Sequence, residues 1–193
     1  AQKHISMAFY YAENIPQHVI GDALRFKQIL TNLISNAIKF TPDGEIIVRV
    51  RMEDDEIGQC LLHFSVQDSG IGLSGTDRKK LFESFSQGDA SVTRQFGGTG
   101  LGLAISKQLV HLMHGQIGFE DNQERAPTEK GSTFWFTASF KVDEQDEFVE
   151  HPHFDHLQVV SYLAHPATAS VLRSYLENYR VSHIETQSIL DLF

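Results

Sequence analysis

Two asparagines and a lysine stand at helical spacing in the segment 22–41. Asn32 and Asn36 are four residues apart and Lys39 follows three residues later, so in a helix the two carboxamides project from the same face. Mg²⁺ prefers oxygen ligands and keeps several waters and phosphate oxygens, and lysine is a common phosphate ligand. The stripe therefore could bind a metal–triphosphate, and an ordinary solvated helix face is the alternative interpretation.

A carboxylate ends the apolar face of a predicted strand in the segment HFSVQDSGIGL. Strand alternation places Leu62, Phe64, Val66 and Asp68 on one face. A buried carboxylate is costly unless it accepts hydrogen bonds, so Asp68 needs a donor, and an adenine amine is one candidate. Gly70 and Gly72 would let backbone approach a planar ligand closely. The alternative is an aspartate that caps the turn after the strand.

Four glycines precede a third chemically interesting element, a helix predicted at about 100–114. They are Gly97, Gly98, Gly100 and Gly102. The N–H groups at a helix N-terminus, together with the positive end of its dipole, form a ready phosphate site. The spacing matches neither G-x-x-x-x-G-K-[ST] nor G-x-G-x-x-G, so a P-loop or a Rossmann site is not expected.

The elements that must position these residues form an α/β pattern. The helix at 22–40 has an apolar face, and strands are predicted at 5–10, 45–51, 61–67, 116–120 and 132–140, with a short helix at 77–82. The apolar face of the first helix consists of Phe26, Ile29, Leu30, Leu33, Ala37 and Ile38. Residues 143–156 are rich in acids and lose this periodicity, which predicts a linker between a domain at 1–142 and a second, truncated one at 157–193.

Composition excludes several classes of protein. The 193 residues carry a net charge of −9 and 41% hydrophobic residues, so no nucleic-acid surface and no direct membrane contact are expected. Cys60 is the single cysteine, which excludes an intrachain disulfide. No signal-peptide pattern or membrane-spanning run is present in the sequence, so we expect a soluble, cytoplasmic domain, whose parent could be an inner-membrane sensor.

Five motifs in this order resemble the boxes of the sensor histidine kinase catalytic domain, in the superfamily of gyrase, the ninety-kilodalton heat-shock chaperone and the mismatch-repair ATPases. They are the N box at 32–41, glycine boxes at 68–72, 98–102 and 131–134, and the phenylalanine box at 82–85. The resemblance covers about residues 1–141. It implies a Bergerat-type fold, a two-layer α/β sandwich with a mixed sheet.

The resemblance also implies roles for individual residues. Asn32, Asn36 and Lys39 would be catalytic, with Asn36 as the Mg²⁺ ligand, Phe40 would line the adenine, and Asp68 would accept a hydrogen bond from its amine. The implied ATP-binding residues are Asn32, Asn36, Lys39, Phe40, Asp68, Gly70, Gly72, Phe82, Phe85, Arg94, Gly98, Thr99, Gly100, Leu101, Gly102 and Thr133. Residues 86–97 would be a mobile ATP lid, in which Gln87 replaces an arginine common in the family.

The C-terminal segment resembles the start of a receiver domain. A strand is predicted at 157–163, a helical apolar stripe at 171–179 and a second strand at 181–184. Receivers carry an acidic pair where this chain has Ser161 and Tyr162, so the module is expected to be degenerate. This order of modules is similar to that of hybrid sensor kinases of the BarA/GacS type.

The resemblance implies phosphoryl transfer from ATP to a histidine on a separate helical hairpin. Expected partners are that dimerisation and phosphoacceptor hairpin of the same parent protein, downstream receiver and phosphotransfer domains, and a response regulator. A non-catalytic, nucleotide-dependent docking module is the alternative function, and another ATPase of the same superfamily is a third.

The chain is predicted not to phosphorylate itself. None of its ten histidines is followed by an acidic residue, whereas the acceptor box of the family has the form H-E-x-[RK]-[TS]-P. Incubation of the chain with radiolabelled ATP should leave it unlabelled. Stable, acid-labile label on the isolated chain would contradict the prediction.

Overall fold

The computed structural model describes residues 3–56, 58–72, 81–83, 101–122, 130–143, 152–163, 165–186 and 188. Its helices are α1 (Ala23–Phe40), α2 (Gly102–Leu112) and α3 (Pro166–Asn178). Its strands are β1 (His4–Tyr11), β2 (Val19–Ile20), β3 (Asp43–Glu56), β4 (Gln59–Asp68), β5 (Ile117–Asp121), β6 (Ser132–Val142), β7 (Gln158–Ser161) and β8 (Ser182–Glu185). The helices predicted at 22–40 and 100–114 and the predicted strands are present, and β2 is a short strand that the sequence pattern did not predict.

Six strands form one mixed sheet. The order is β1-β3-β4-β6-β2, and β5 pairs with β6 beside β2. Strand β1 runs parallel to β3, while the other pairs are antiparallel. Helices α1 and α2 pack against each other and against this sheet. The expected two-layer α/β sandwich with a mixed sheet is confirmed.

Helix α1 lies within the predicted range 22–40, and side chains bond to both of its ends. Asp22 is the N-cap, and its carboxylate accepts a hydrogen bond from the Arg25 N–H at 2.9 Å, which satisfies one of the free donors of the first turn. At the other end, the Lys3 ammonium donates to the carbonyls of Ile38, Lys39 and Thr41. A cation there also complements the negative end of the helix dipole.

The apolar face of α1 is confirmed except at one position. Ile29, Leu33 and Ala37 are buried, and Phe26 and Leu30 pack against the same core. Ile38 is 39% exposed, so its inclusion in the apolar face is wrong. It directly follows Ala37, and one residue turns a helix by about 100°, which carries Ile38 to the edge of the buried stripe.

Aromatic rings fill the space between α1 and the sheet. Phe136 is fully buried and stacks on Phe64 with ring centroids 4.9 Å apart, and Phe26 of α1 lies 5.0 Å from Phe64. Such ring pairs stabilise a core beyond the area that they bury. The helix that carries the asparagine stripe is therefore held firmly against the strand that ends in Asp68.

The opposite face of the sheet is partly covered by the C-terminal segment. Ile47 projects away from Ile46 and Val48, yet it is only 2% exposed and stands outside the main core. Helix α3 packs against β1 and β3 on this side. Nearer the centre of the sheet this face carries His63 stacked on Trp135 at 5.4 Å.

The C-terminal segment forms a βαβ unit, as predicted. Strands β7 and β8 are parallel and α3 connects them. At the position where receivers carry an acidic pair, the Ser161 hydroxyl shares a 2.8 Å hydrogen bond with the His183 ring. Phe154, within the predicted linker, donates its N–H to the Tyr179 carbonyl at 2.9 Å. The relation of this unit to receivers stays a prediction.

Some predicted elements fall wholly or partly outside the described residues. These are the ATP lid at 86–97 and most of the short helix at 77–82, of which residues 81 and 82 lie in a turn. No helix within the described ranges is both long and apolar enough to cross a membrane.

Candidate functional site

The carboxylate of Asp68 lies at the end of β4 between two partner strands. Its register pairs it with Ile46 of β3 and Ser132 of β6, and the residue is 3% exposed. Oδ1 accepts a hydrogen bond from the Gly70 N–H at 2.9 Å, and Oδ2 accepts one from the Ser132 hydroxyl at 2.6 Å. The predicted burial of Asp68 at the end of an apolar face is confirmed.

Burial raises the pKa of the Asp68 carboxyl above its ordinary value, and the hydrogen bonds from Ser132 and Gly70 offset part of this effect. Desolvation disfavours the charged form of an acid, whereas donors favour it. A carboxylate offers about four acceptor positions, and the Ser132 hydroxyl, the Ser132 N–H and the Gly70 N–H use part of this capacity. A ligand that donates a hydrogen bond would therefore stabilise the ionised form.

A buried asparagine that the sequence analysis missed holds the backbone of Asp68. Asn122 is 2% exposed, and its Nδ2 donates to the backbone carbonyls of Asp68 at 3.0 Å and Lys130 at 3.2 Å. Its Oδ1 accepts the Thr133 hydroxyl at 2.7 Å. Thr133, predicted to bind ATP, thus donates its hydroxyl hydrogen to Asn122 in this structure.

The first glycine loop is attached to the C-terminal end of α1. The Ile71 N–H donates to the Phe40 carbonyl at 3.3 Å, and a Cβ on Gly70 would collide with that same carbonyl. Gly72 has φ +69°, a left-handed conformation that favours glycine. The backbone at Gly70 therefore lies close to the N-box helix, whereas its predicted approach to a planar ligand stays a prediction.

Lys39 and Phe40 lie together at this junction. The Lys39 ammonium is 4.9 Å from the centroid of the Phe40 ring, within the range of a cation–π contact. The positive charge therefore stands close to the aromatic ring that the resemblance assigns to adenine.

Asn32 connects α1 to α2. Its Nδ2 donates to the Ser106 hydroxyl at 2.9 Å, and a Cβ on Gly102 would collide with its Oδ1. Asn36 is half-buried one turn further along α1. Asn32 therefore faces the first turns of α2, the helix that follows the glycine cluster.

No side chain among the described residues caps the N-terminus of α2. Leu101 is the N-cap residue and makes no side-chain cap hydrogen bond, and the first turn contains no acidic residue. The first N–H groups of a helix have no intrahelical acceptor. Within the part of the chain that is described, these groups and the helix dipole are therefore available to an anion.

Thr41, the last residue of the N box, has a buried hydroxyl group. It is 0% exposed, and its hydroxyl oxygen has no hydrogen-bond partner among the described residues. A buried hydroxyl without a partner costs free energy. A ligand or an ordered water at this site would remove that cost.

The remaining predicted site residues divide into two groups. Phe82 is described and packs against the main core. Phe85, Arg94, Gly98, Thr99 and Gly100 lie outside the described residues, so their predicted roles stay predictions.

Ser132, Ser106 and Asn122 are the polar partners that sequence reasoning did not assign to the site. Ser132 is adjacent to Thr133 in the last glycine box, and strand pairing with Asp68 would have identified it. Asn122 had a weaker signal, namely a polar residue directly after β5. Ser106 faces Asn32 only because α1 and α2 pack together.

Comparison with known proteins gives the following matches. The profile of the family described as histidine kinase-, DNA gyrase B-, and HSP90-like ATPase matches residues 21–142. Sensor histidine kinase GacS of Pseudomonas protegens is 45% identical over 144 residues, which are 75% of this chain and 15% of GacS. Signal transduction histidine-protein kinase BarA of Escherichia coli K12 is 42% identical over 134 residues, 69% of this chain and 14% of BarA. The chain thus spans about a seventh of these relatives.

A solved structure resembles almost the whole chain. The crystal structure of full-length ShkA in complex with AMPPNP has a TM-score of 0.76 and 26% sequence identity, covering 97% of this chain and 36% of ShkA. The likeness therefore extends over both the six-stranded sheet and the C-terminal βαβ unit.

The free energy of unfolding of the nucleotide-free chain should be higher in Asp68→Asn than in wild type at pH 8. The difference between the two should be smaller at pH 5. Because the folded pKa of Asp68 is raised, the native state binds its proton more tightly, and stability is lost as pH rises from the unfolded pKa through the folded one. Asparagine resembles the protonated acid, and it can accept from Gly70 and donate to the Ser132 oxygen. Urea unfolding, followed by the fluorescence of Trp135, the single tryptophan, measures the difference at pH 5 and pH 8.

The control is Asp155→Asn, which removes an exposed carboxylate and should leave the pH dependence unchanged. A loss of about 1.5 to 3 kcal/mol in Asp68→Asn at pH 8, the usual cost of losing a charged hydrogen-bond partner, would contradict the prediction.

Proposed function

Because this chain belongs to the histidine kinase-, DNA gyrase B- and HSP90-like ATPase family, we propose that it is the ATP-binding catalytic domain of a hybrid sensor histidine kinase. The identity to GacS and BarA supports the kinase branch of the family. The nucleotide analogue in the ShkA complex supports ATP as the ligand. Sensor histidine kinases are ATP-dependent protein kinases, so the chain is proposed to act in phosphoryl transfer.

The observation that carries the proposal is the junction of three elements that could each contact a different part of a nucleotide. The end of α1 is joined to the first glycine loop through Phe40 and Ile71. The middle of α1 is joined to α2 through Asn32 and Ser106. These contacts would place three groups beside α1: Asp68 as the acceptor for the base, Asn36 as the metal ligand, and the start of α2 as the phosphate site.

The residues present fit Mg-ATP chemically. Asp68 is a buried hydrogen-bond acceptor, which suits the exocyclic amine of adenine. The Asn36 carboxamide oxygen suits Mg²⁺, which retains most of its waters and phosphate oxygens. Lys39 and the N–H groups at the start of α2 suit phosphate oxygens, and the Thr41 hydroxyl lacks a partner among the described residues.

The work of these residues would be positioning and charge stabilisation. Bound Mg-ATP would supply the γ-phosphoryl group, and an imidazole on a separate hairpin of the parent protein would receive it. Phosphoryl transfer has a loose transition state that needs little covalent help from the protein. We accordingly assign Asn36, Lys39 and the start of α2 to neutralising charge, and Asp68 to orienting the base.

The partners and location follow from the same proposal. The phosphoacceptor hairpin of the parent protein, receiver and phosphotransfer domains and a response regulator are the proposed partners, because the relatives are named as sensor histidine kinases. We propose a cytoplasmic location, in a parent that is an inner-membrane sensor.

Phosphate transfer to the separated hairpin tests the reaction. Mixing the chain with the helical hairpin of the same parent and radiolabelled Mg-ATP should give acid-labile label on the hairpin alone. Asn36→Ala should slow transfer by about 100-fold or more, the size typical for removal of one electrostatic group. Ser35→Ala, on the exposed side of the same helix, is the matched control and should transfer normally. ATP binding without any label on the hairpin would instead indicate a docking module.

Base preference tests the role of Asp68 separately. Asp68→Asn should weaken ATP binding roughly ten- to a hundredfold, because loss of a charged acceptor costs about 1.5 to 3 kcal/mol. Guanine has a carbonyl where adenine has its amine, so the substitution should also reduce the preference for ATP over GTP. Titration of both nucleotides by calorimetry measures the two affinities.

Ser132→Ala is the control for base preference. It removes the hydroxyl that donates to Asp68 but keeps the carboxylate, so it should lower stability while leaving a clear ATP preference. If the ATP-to-GTP affinity ratio is unchanged in a folded Asp68→Asn variant, the base-anchoring role is wrong.

A further inference from the structure

The N-terminus of α3 is capped by a side chain from the sheet. Oε2 of Glu45 accepts a hydrogen bond from the Thr168 N–H at 3.0 Å, and the Thr168 hydroxyl lies 3.4 Å from the same oxygen. His165, the N-cap residue of α3 itself, makes no side-chain cap hydrogen bond. The Glu45 side chain is 13% exposed. A carboxylate at a helix N-terminus satisfies a free donor and complements the helix dipole.

A tyrosine forms a second contact between the same two units. The Tyr175 hydroxyl donates to the Phe9 carbonyl at 3.2 Å and accepts the Tyr11 N–H at 3.3 Å. Its ring centroid lies 5.2 Å from that of Tyr10 and 5.6 Å from that of Tyr11. Strand β1 is an edge strand, and its outward N–H and C=O groups need partners. Tyr175 provides both from one hydroxyl.

Glu45 is also bonded to the first glycine loop through its backbone. Its N–H donates to the Ser69 hydroxyl at 2.8 Å, and its carbonyl accepts the Ser69 N–H at 3.0 Å. Gly44 has φ +128°, and a Cβ there would collide with the Ser69 hydroxyl. Ser69 directly follows Asp68. A single residue therefore contacts the candidate base site with its backbone and the C-terminal unit with its side chain.

We propose that Glu45 couples the first glycine loop to the docked C-terminal βαβ unit, so that nucleotide binding at Asp68 and docking of α3 stabilise each other. A ligand that orders residues 68–71 also restricts Ser69 and hence Glu45. Nucleotide binding and docking of α3 both require an ordered Glu45, so whichever occurs first accounts for the loss of its conformational entropy and the second becomes more favourable. Linkage requires the effect to be reciprocal and equal in size. The nucleotide half of this inference rests on the proposed function, whereas the docking half does not.

Hydrogen exchange without nucleotide tests the docking half. Glu45→Gln and Tyr175→Phe should each speed exchange in α3, and in Glu45→Gln the acceleration should be largest at the Thr168 amide. Glu53→Gln is the matched control, because Glu53 is an exposed glutamate on the same strand. Unchanged fluorescence of Trp135 would show that the six-stranded sheet stays folded in each variant. Exchange in α3 equal to that of wild type in both variants would overturn the docking role.

Addition of Mg-ATP tests the coupling. In the wild type, Mg-ATP should slow exchange at Thr168, and Glu45→Gln should abolish this response. ATP affinity should fall on the order of fivefold both in Glu45→Gln and in Tyr175→Phe, whose substituted side chain contacts β1 and lies outside the proposed nucleotide site. Glu53→Gln should bind ATP like wild type.

The outcomes separate the two proposals. If the wild type binds ATP while Thr168 exchange is unchanged and both variants bind equally well, the coupling is overturned and the proposed function stands. If the wild type does not bind ATP at all, the proposed function fails and the nucleotide half of the coupling fails with it.

Discussion

The structure around the site depends on one constraint, the burial of the Asp68 carboxylate between two strands. A charge that is 3% exposed must accept hydrogen bonds or lose its proton. Ser132 and Gly70 donate to it, and Asn122 holds its backbone carbonyl from the other side. Gly131, with φ +98°, lies so close to that carbonyl that any Cβ would collide with it. Ser132 and Gly70 therefore stabilise the carboxylate, while Asn122 and Gly131 fix the backbone that carries it.

The same constraint extends to the helices, because the loop that donates to Asp68 is bonded to the end of α1. Ile71 donates to the Phe40 carbonyl, Lys3 donates to the carbonyls around it, and Asn32 reaches across to Ser106 of α2. A shift of α1 along its axis would break all three sets of hydrogen bonds together. The aromatic core between α1 and the sheet opposes that shift, so the apolar packing determines the geometry of the polar site.

The C-terminal unit adds a contact of a different kind. Its interface with the sheet combines a charged helix cap at Glu45 and a tyrosine hydroxyl on an edge strand, with Ile47 buried on the same face of the sheet. Interfaces between units of one chain are commonly more polar than permanent subunit interfaces, so relative motion of the units is the usual expectation. A contact adjacent to the first glycine loop can respond to a ligand there, because ligands act by shifting the balance between states.

The sequence by itself determined the elements and the chemistry of the site. Periodicity identified α1 and β4, and alternation placed Asp68 on a buried face, because these patterns follow from the 3.6- and 2-residue repeats of helix and strand. Only the tertiary structure decided which groups meet. Asn122 bonds Asp68 from 54 residues away, and Glu45 caps a helix 123 residues further along the chain. Such pairs depend on strand register and on the packing of whole units, and no local pattern records them. Ile38 was predicted to be buried because it is apolar. It is exposed because the face of α1 that packs on the sheet is too narrow to include it.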